Sequence, residues 1–181
     1  MQVDPRGRNV EVTDANGNKA YTIYDDVNHQ TITFPGWNAA THTTTGPVVV
    51  SGEYWPASGA GAGQQTVYDQ ALTTSATPTW DSTTNAPTGI GALSSANIQS
   101  LSRQLTNNGG QVIESDAYFS MAGISYSAAY AQLGASSNDS STGNYHATLM
   151  HYDDRGREDM VTAPTGTITY SGHDGLGRVY T

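Results

Sequence analysis

Cysteine is absent from this chain of 181 residues, and lysine and arginine together number only 7. The absence of cysteine excludes disulfides, thiolate zinc sites and cysteine nucleophiles. With 16 acidic residues the formal net charge is −9, so the chain lacks the basic surface that nucleic-acid binders need. No apolar run approaches the roughly 18 residues of a membrane-spanning helix. The composition therefore predicts neither a nucleic-acid partner nor a membrane span.

An export signal is also missing from the first residues, which read MQVDPRGR. Charged residues make up only 13% of the chain, whereas glycine, serine and threonine are abundant. This composition is typical of bacterial surface and secreted β proteins, so we expect an extracellular or cell-surface location through a longer parent protein. A cytosolic acidic domain is the alternative. The length suits one domain with a real core, and the 11 tyrosines and many turn formers favour β structure.

A turn motif recurs near both ends of the chain. Asp4 and Asp25 are 21 residues apart, as are Asp153 and Asp174. The shared pattern is (Tyr/His)-Asp-x-x-Gly-Arg, and its residues are Asp4, Gly7, Arg8, Tyr24, Asp25, Tyr152, Asp153, Gly156, Arg157, Asp174, Gly177 and Arg178. In the copy at Asp25, Asn28-His29 replaces Gly-Arg, and Asn28 is expected to adopt the left-handed conformation.

Each pair of motifs encloses two β segments joined by a second turn. In the first unit these segments are Asn9–Thr13 and 20–24, and Asn16-Gly17 between them predicts a type I′ hairpin turn. In the later unit they are 159–163 and 167–171, around Pro164-Thr165-Gly166. The pattern predicts an all-β fold built as a ribbon of antiparallel β-hairpins.

These motifs resemble the YD repeats of RHS (rearrangement hotspot) proteins, in which Tyr-Asp-x-x-Gly-Arg opens each hairpin. Segments 35–38 and 110–119 are similar to the longer, irregular repeats of very large planctomycete-like RHS proteins. The resemblance implies that this chain is a non-catalytic structural segment of a large surface or secreted protein. It also implies that the hairpins form a curved sheet or part of a β-spiral shell.

We expect a single β-repeat domain over residues 1–181, with YD-type repeats at 1–35 and 152–181 and an irregular β region at 36–151. Strands in the irregular region are predicted at 47–51, 65–69, 111–115, 117–121, 124–127 and Tyr145–Tyr152. Loops are predicted at 58–64, 83–91 and 134–143, and the Gly/Ala/Ser tract at 58–64 fits a long turn or a linker. Residues 98–105 fit either a short helix or a strand, and the β surroundings favour a strand.

The repeated motif favours turn geometry over catalysis, because a catalytic site needs one constellation and not a recurring one. Glycine supplies a positive φ, aspartate accepts backbone N–H groups, and arginine is expected to pair with oxygens of the neighbouring hairpin. Tyr24 and Tyr152 are expected to bury their rings while each hydroxyl keeps a polar partner. Asp14-x-Asn16-x-Asn18 matches the start of a calcium loop, but Lys19 and Asp25 stand where Gly and Glu are required, which favours a hairpin turn.

Two alternatives remain open to the sequence. Trp37, Trp55 and Trp80 are candidates for stacking on a sugar, which would make the chain a carbohydrate- or protein-binding module. A hydrolase would need a carboxylate pair such as Glu114 with Asp116, although the same spacing suits a solvated strand face. His146 and His151 fall on opposite faces of one strand, which disfavours a shared metal. We expect no cofactor, no metal and no enzyme activity. The expected partners are neighbouring repeats or copies of the chain, bound through strand edges. A surface glycan or protein is the alternative partner.

Overall fold

A computed structural model of the protein describes residues 1–54, 65–72, 77–91, 95–124, 134–138 and 142–180. These residues form fifteen strands and a 3₁₀ turn at Ser95–Asn97. The strands are β1 Gln2–Val3, β2 Asn9–Thr13, β3 Lys19–Asp25, β4 Gln30–Phe34, β5 Val49–Tyr54, β6 Gln65–Leu72, β7 Pro78–Trp80, β8 Pro87–Ile90, β9 Ile98–Thr106, β10 Val112–Tyr118, β11 Tyr145–Tyr152, β12 Glu158–Thr162, β13 Ile168–Tyr170, β14 Gly172–His173 and β15 Val179–Tyr180. The predicted all-β, antiparallel class is confirmed.

Eleven of these strands form one open sheet in the order β1-β2-β3-β4-β5-β6-β9-β10-β11-β12-β13. Neighbours in the sheet follow the chain except at β6 and β9, because the separate hairpin of β7 and β8 is inserted between them. The last hairpin, β14 with β15, follows β13 in the chain and forms a separate two-stranded sheet. Every strand pair in the described part of the chain is antiparallel.

Antiparallel order places the connections alternately at two ends of the sheet. One end, which we call the motif end, carries the turns at 4–8, 25–30, 107–111, 153–157 and 174–178. The other end, the loop end, carries the turns at 14–18 and 163–167 and the connections from β4 to β5, from β6 to β9 and from β10 to β11. All four aspartate motifs of the sequence therefore lie at the same end of the sheet.

The hydrophobic core combines strand residues with residues of the loop-end connections. Its buried members are Phe34, Trp37, Val48, Val50, Ile98, Leu101 and Ile124. The backbone N–H of Trp37 donates to the carbonyl of Lys19 at 2.7 Å, and its indole Nε1 donates to the carbonyl of Asn85 at 2.9 Å. The indole thus ties the connection between β4 and β5 to the turn of the β7–β8 hairpin.

Several strand predictions for the irregular region need correction. The predicted strands 111–115 and 117–121 are one strand, β10, and the predicted loop 83–91 contains β8. Residues 98–105 form a strand, and the alternation of buried Leu101, Arg103 and Leu105 with exposed neighbours explains the preference. Ile124 lies outside any strand, and the rest of the predicted strand 124–127 lies outside the described residues, as do Trp55 and the tract 58–64.

Candidate functional site

The first aspartate motif forms a five-residue turn held by one carboxylate. Asp4 Oδ1 accepts the backbone N–H groups of Arg6 and Arg8, both at 2.9 Å, and Asp4 Oδ2 accepts Arg8 Nε at 2.7 Å. The backbone closes the turn, because Gly7 N–H donates to the Asp4 carbonyl and Asp4 N–H donates to the Arg8 carbonyl, each at 2.9 Å. Gly7 has a φ of 80°, which favours glycine at the fourth position.

The same set of bonds occurs at Asp153 and Asp174. Asp153 Oδ1 accepts the N–H groups of Arg155 and Arg157, and its Oδ2 accepts Arg157 Nε at 2.8 Å. Asp174 Oδ1 accepts Leu176 N–H and Arg178 N–H, and its Oδ2 accepts Arg178 Nε at 2.6 Å. The glycines at the fourth positions, Gly156 and Gly177, have φ values of 75° and 80°.

Three further turns share this backbone although their sequences depart from the motif. In the turn 14–18, Asn18 Nδ2 donates to Oδ2 of the first residue, Asp14, at 2.9 Å. In the turn 107–111, the first residue is Asn107, and its Nδ2 donates to Gln111 Oε1 at 2.9 Å. In 163–167, Ala163 has no acceptor side chain, yet Gly166 N–H still donates to its carbonyl at 2.9 Å. Glycine at the fourth position, with φ from 79° to 85°, is the sequence signal that all three share.

The predicted type I′ turn at Asn16-Gly17 is wrong. Only Gly17 has a positive φ, of 85°, and Gly17 N–H donates to the Asp14 carbonyl at 3.1 Å. This is the three-residue loop in which a type I turn is followed by a left-handed glycine. The Asp14 carboxylate selects it, because Oδ1 accepts the backbone N–H groups of Asn16 and Asn18.

The degenerate copy at Asp25 differs from the expectation at one residue. The left-handed residue is His29, with a φ of 52°, and not Asn28. Asn28 instead donates its backbone N–H and its Nδ2 to the Asp25 carboxylate, at 3.1 and 2.6 Å. Because Asn28 takes the role of the motif arginine, the turn closes one residue later, between Asp25 and Gln30.

Side chains at the motif end link several of the described turns to a neighbouring turn. The Arg8 guanidinium donates to both carboxylate oxygens of Asp26, at 2.6 and 3.0 Å, and lies 4.1 Å from the centre of the Tyr24 ring. The Tyr24 hydroxyl returns a bond to the carbonyl of Asn9 at 3.2 Å. The fifth residue of one turn therefore holds the following turn, and the tyrosine that precedes the following turn holds the strand behind it.

The same link joins the turns 107–111 and 153–157. Gln111 Nε2 donates to the Gly156 carbonyl at 2.8 Å, and the Tyr152 hydroxyl donates to the Val112 carbonyl at 2.8 Å. One turn further along, Arg157 Nη1 donates to the Asp174 carbonyl at 3.4 Å. We call this series of contacts the turn ladder. Gln111 belongs to it although its turn reads Asn-Asn-Gly-Gly-Gln, which the motif pattern did not identify.

The turn hydrogen bonds favour the ionised form of the aspartates. The side-chain and backbone bonds from Arg157 lower the pKa of the Asp153 carboxyl to about 2. Partial burial opposes ionisation of Asp4, but the bonds from Arg8 and Arg6 outweigh it and lower the pKa of the Asp4 carboxyl. The bonds from Asp26 and then Asp4 raise the pKa of the Arg8 guanidinium. Asp4, Arg8 and Asp153 are therefore charged near neutral pH.

Two of the three tryptophans considered for sugar stacking, Trp37 and Trp80, lie in the described part of the chain, and they have different surroundings. Trp37 is 4% exposed and packs edge-on against Phe34, so its faces are covered by the core. Trp80 is 44% exposed and stacks on the His42 ring, with the centroids 4.0 Å apart and the planes 10° from parallel. His42 Nε2 lies 3.1 Å from Asn85 Oδ1, so the His42 ring is held on both sides of the β7–β8 hairpin contact by Trp80 and Asn85.

Asp116, which was considered with Glu114 as a carboxylate pair for a hydrolase, is paired with an arginine instead. Asp116 is buried and accepts Arg103 Nε at 2.6 Å, with both side chains fully shielded from solvent. The Arg103 guanidinium lies 4.6 Å from the centre of the Tyr145 ring. Burial raises the pKa of the Asp116 carboxyl although Arg103 opposes this shift. Asp116 thus forms a buried ion pair inside the sheet, and the prediction of a cleft carboxylate or a solvated strand face is wrong for this residue.

The histidines on β11 bind different partners. His146 Nδ1 lies 3.0 Å from the Ser137 carbonyl, and His151 Nδ1 lies 2.6 Å from Asp159 Oδ1. Across the described ranges, no group of three or more His, Asp or Glu side chains is arranged to hold a metal ion. No helix found in the described part of the chain is long and apolar enough to cross a bilayer.

Comparisons with known proteins give no family for this chain. No family model and no curated protein matches it. Among solved structures, a protein with unknown function from Bacteroides fragilis is similar at 16% identity and a TM-score of 0.29, over 65% of this chain and 66% of that chain. A TM-score this low supports no conclusion about fold or function.

Proposed function

We propose that this chain is a non-catalytic structural segment of a YD-repeat protein of the RHS type, in which linked hairpins build an extracellular β scaffold or shell wall. The observation that carries the proposal is the turn ladder. The fifth residue of one turn bonds the next turn at Arg8, Gln111 and Arg157, all at the motif end. These contacts join one hairpin to the next, as a structural scaffold requires.

The ladder answers a physical need of such a scaffold. An isolated two-stranded hairpin is at best marginally stable in water, so each hairpin depends on its neighbours. In an array of this kind, stability is the sum of the unit stabilities and the contacts between neighbours. Side chains that join consecutive turns increase the second contribution. They also fix the register of the strands, since a one-residue slip would separate Arg8 from Asp26.

A double-mutant cycle on Arg8 and Asp26 tests the proposal. Urea unfolding is measured for the chain, for Arg8→Ala, for Asp26→Ala and for the double variant. We expect each single substitution to destabilise the protein and the double variant to lose less than the sum, because both changes remove the same link. The control cycle combines Asp26→Ala with Arg155→Ala instead of Arg8→Ala. Arg155 is exposed at the third position of another turn. Additive losses in both cycles would contradict the scaffold proposal.

A second candidate function rests on Trp80. Its indole is half exposed and is held flat against His42, so a ring held in this way offers a surface for stacking on a sugar. A fluorescence titration of the chain with oligosaccharides, compared with Trp80→Ala, distinguishes the two functions. Saturable quenching that disappears in Trp80→Ala would support a carbohydrate-binding module. The scaffold proposal predicts no saturable change with any sugar.

A further inference from the structure

A cavity lies at the motif end of the large sheet, beside the turn 25–30. Its volume is about 240 Å³, and every residue that lines it belongs to the described part of the chain. Tyr24, Thr31 and Ser51 lie opposite one another on β3, β4 and β5, so they share one face of the sheet and form the floor of the cavity. Its sides carry charged or titratable groups, from Arg8, Asp26, His29 and Glu53.

One carboxylate of this cavity lacks a counter-charge. Both oxygens of Asp26 accept the Arg8 guanidinium, at 2.6 and 3.0 Å. Glu53 donates its backbone N–H to the carbonyl of His29 at 3.0 Å, but among the described residues its carboxylate has neither a hydrogen bond nor an ion pair. The serine and threonine hydroxyls of the cavity floor likewise have no partner among those residues. Three side-chain acceptors on two adjacent strands are therefore available to a ligand.

The missing counter-charge follows from the departure of this turn from the motif. In the turn 4–8 the fifth residue is Arg8, and its guanidinium neutralises Asp26 of the following turn. In the turn 25–30 the fifth residue is His29, whose side chain is shorter than that of arginine and carries no guanidinium. Because His29 lines the cavity, an arginine at its position would place a guanidinium there, close to the carboxylate of Glu53.

We propose that this cavity binds the guanidinium group of a small ligand, which takes the place of the arginine that the turn 25–30 lacks. Glu53 supplies a carboxylate for charge-assisted hydrogen bonds, and Thr31 and Ser51 supply neutral hydroxyl acceptors. A guanidinium group carries five N–H donors in a fixed planar arrangement, so it can donate to acceptors on two strands at once. The inference goes beyond the proposed scaffold role, because a scaffold needs no ligand at this position.

A nuclear magnetic resonance titration of the full chain with N-acetyl-L-arginine amide tests the site, with sodium chloride at equal ionic strength as the reference. We expect saturable shifts of the backbone amides of Thr31, Ser51 and Glu53. Glu53→Gln should weaken the binding roughly fivefold, the upper end for an exposed ion pair. Glu158→Gln is the matched control, because it removes the same charge from an exposed position of β12 and should leave the binding unchanged. The absence of saturable shifts overturns the inference, and so do equal effects of the two substitutions.

Two other probes test whether the cavity recognises the guanidinium group or any cation. N-acetyl-L-lysine amide carries the same charge as a compact ammonium group, without the planar set of donors, and should give smaller shifts at the same concentration. Calcium chloride should give no saturable shift of these amides. Equal shifts with the arginine and lysine compounds would show general attraction of cations to an acidic chain, which overturns the inference, and so would saturable binding of calcium alone.

A substitution that supplies the missing group tests the position of the ligand. His29→Arg places a guanidinium of the chain itself at the cavity and should abolish binding of N-acetyl-L-arginine amide. Asn16→Arg adds the same charge to an exposed turn at the loop end and should leave the binding unchanged. Binding to His29→Arg that is as tight as to the unsubstituted chain would overturn the inference.

Discussion

Replacement of Gly156 by alanine, compared with the same change at Gly166, measures what one link of the ladder contributes. Both glycines occupy the fourth position of a turn, with φ values of 75° and 81°. An alanine in this left-handed region costs about 1 kcal/mol after allowance for its smaller entropy in the unfolded chain. A Cβ at Gly166 would meet no atom within 4 Å, so Gly166→Ala should lose only this amount.

Gly156 differs because its carbonyl accepts a hydrogen bond of the turn ladder, from Gln111. A Cβ there would lie 3.1 Å from Gln111 Nε2, the atom that donates to the Gly156 carbonyl. Gln111 cannot move away freely, since Asn107 Nδ2 holds its Oε1 at 2.9 Å. Loss of this hydrogen bond adds about 1 kcal/mol, so Gly156→Ala should destabilise the chain by about 2 kcal/mol in total.

Urea unfolding followed by far-UV circular dichroism gives both values on the same scale. We expect equal slopes for the two variants and a midpoint that falls about twice as far for Gly156→Ala. Equal losses for the two substitutions would refute the reasoning, because they would show that the contact between Gln111 and Gly156 contributes nothing.

Two further predictions follow from the charged groups. The pKa of Asp153 is lowered to about 2 in the folded chain, so its turn bonds stabilise the fold above about pH 4 and this contribution is lost as the pH falls through about 2. The free energy of unfolding should therefore fall as the pH is lowered towards 2. Asp153→Asn should be less stable than the unsubstituted chain at pH 7, and its stability should fall less with decreasing pH. Arg103→Ala should destabilise by about 3–5 kcal/mol by leaving Asp116 buried without its partner, whereas Arg103→Met with Asp116→Leu should restore most of the loss in thermal unfolding. If Arg103→Ala were as stable as the unsubstituted chain, the buried Asp116 carboxylate would not need Arg103, which would contradict the prediction.

The local parts of the fold were accessible from the sequence, because they depend on neighbouring residues. Asp4, Gly7 and Arg8 form their turn from five consecutive positions, so the motif alone predicts the geometry. The type of the turn at Asn16-Gly17 was not accessible from the dipeptide, since the carboxylate of Asp14 decides it. The position of Gly17 was a correct signal for a turn and an incomplete one for its type.

The parts that depend on register were not accessible. Arg103 and Asp116 read as ordinary polar positions of two strands, and only the pairing of β9 with β10 places them directly opposite one another. The burial of Trp37 depends on the carbonyl of Asn85, which lies 48 residues further along the chain. β8 has only four residues, too few to show an alternating pattern, so the sequence predicts a loop over 83–91.

The central claim is that the turns joined by the turn ladder stabilise one another. Hydrogen exchange of single amides in the full chain tests it most directly, with Gln111→Ala compared with Gln104→Ala, an exposed glutamine of β9. In Gln111→Ala we expect the amides of Gly156 and Arg157 to exchange about fivefold faster, the equivalent of about 1 kcal/mol, although they belong to the neighbouring turn. Gln104→Ala should leave both amides unchanged. Faster exchange confined to the turn 107–111 would contradict the claim.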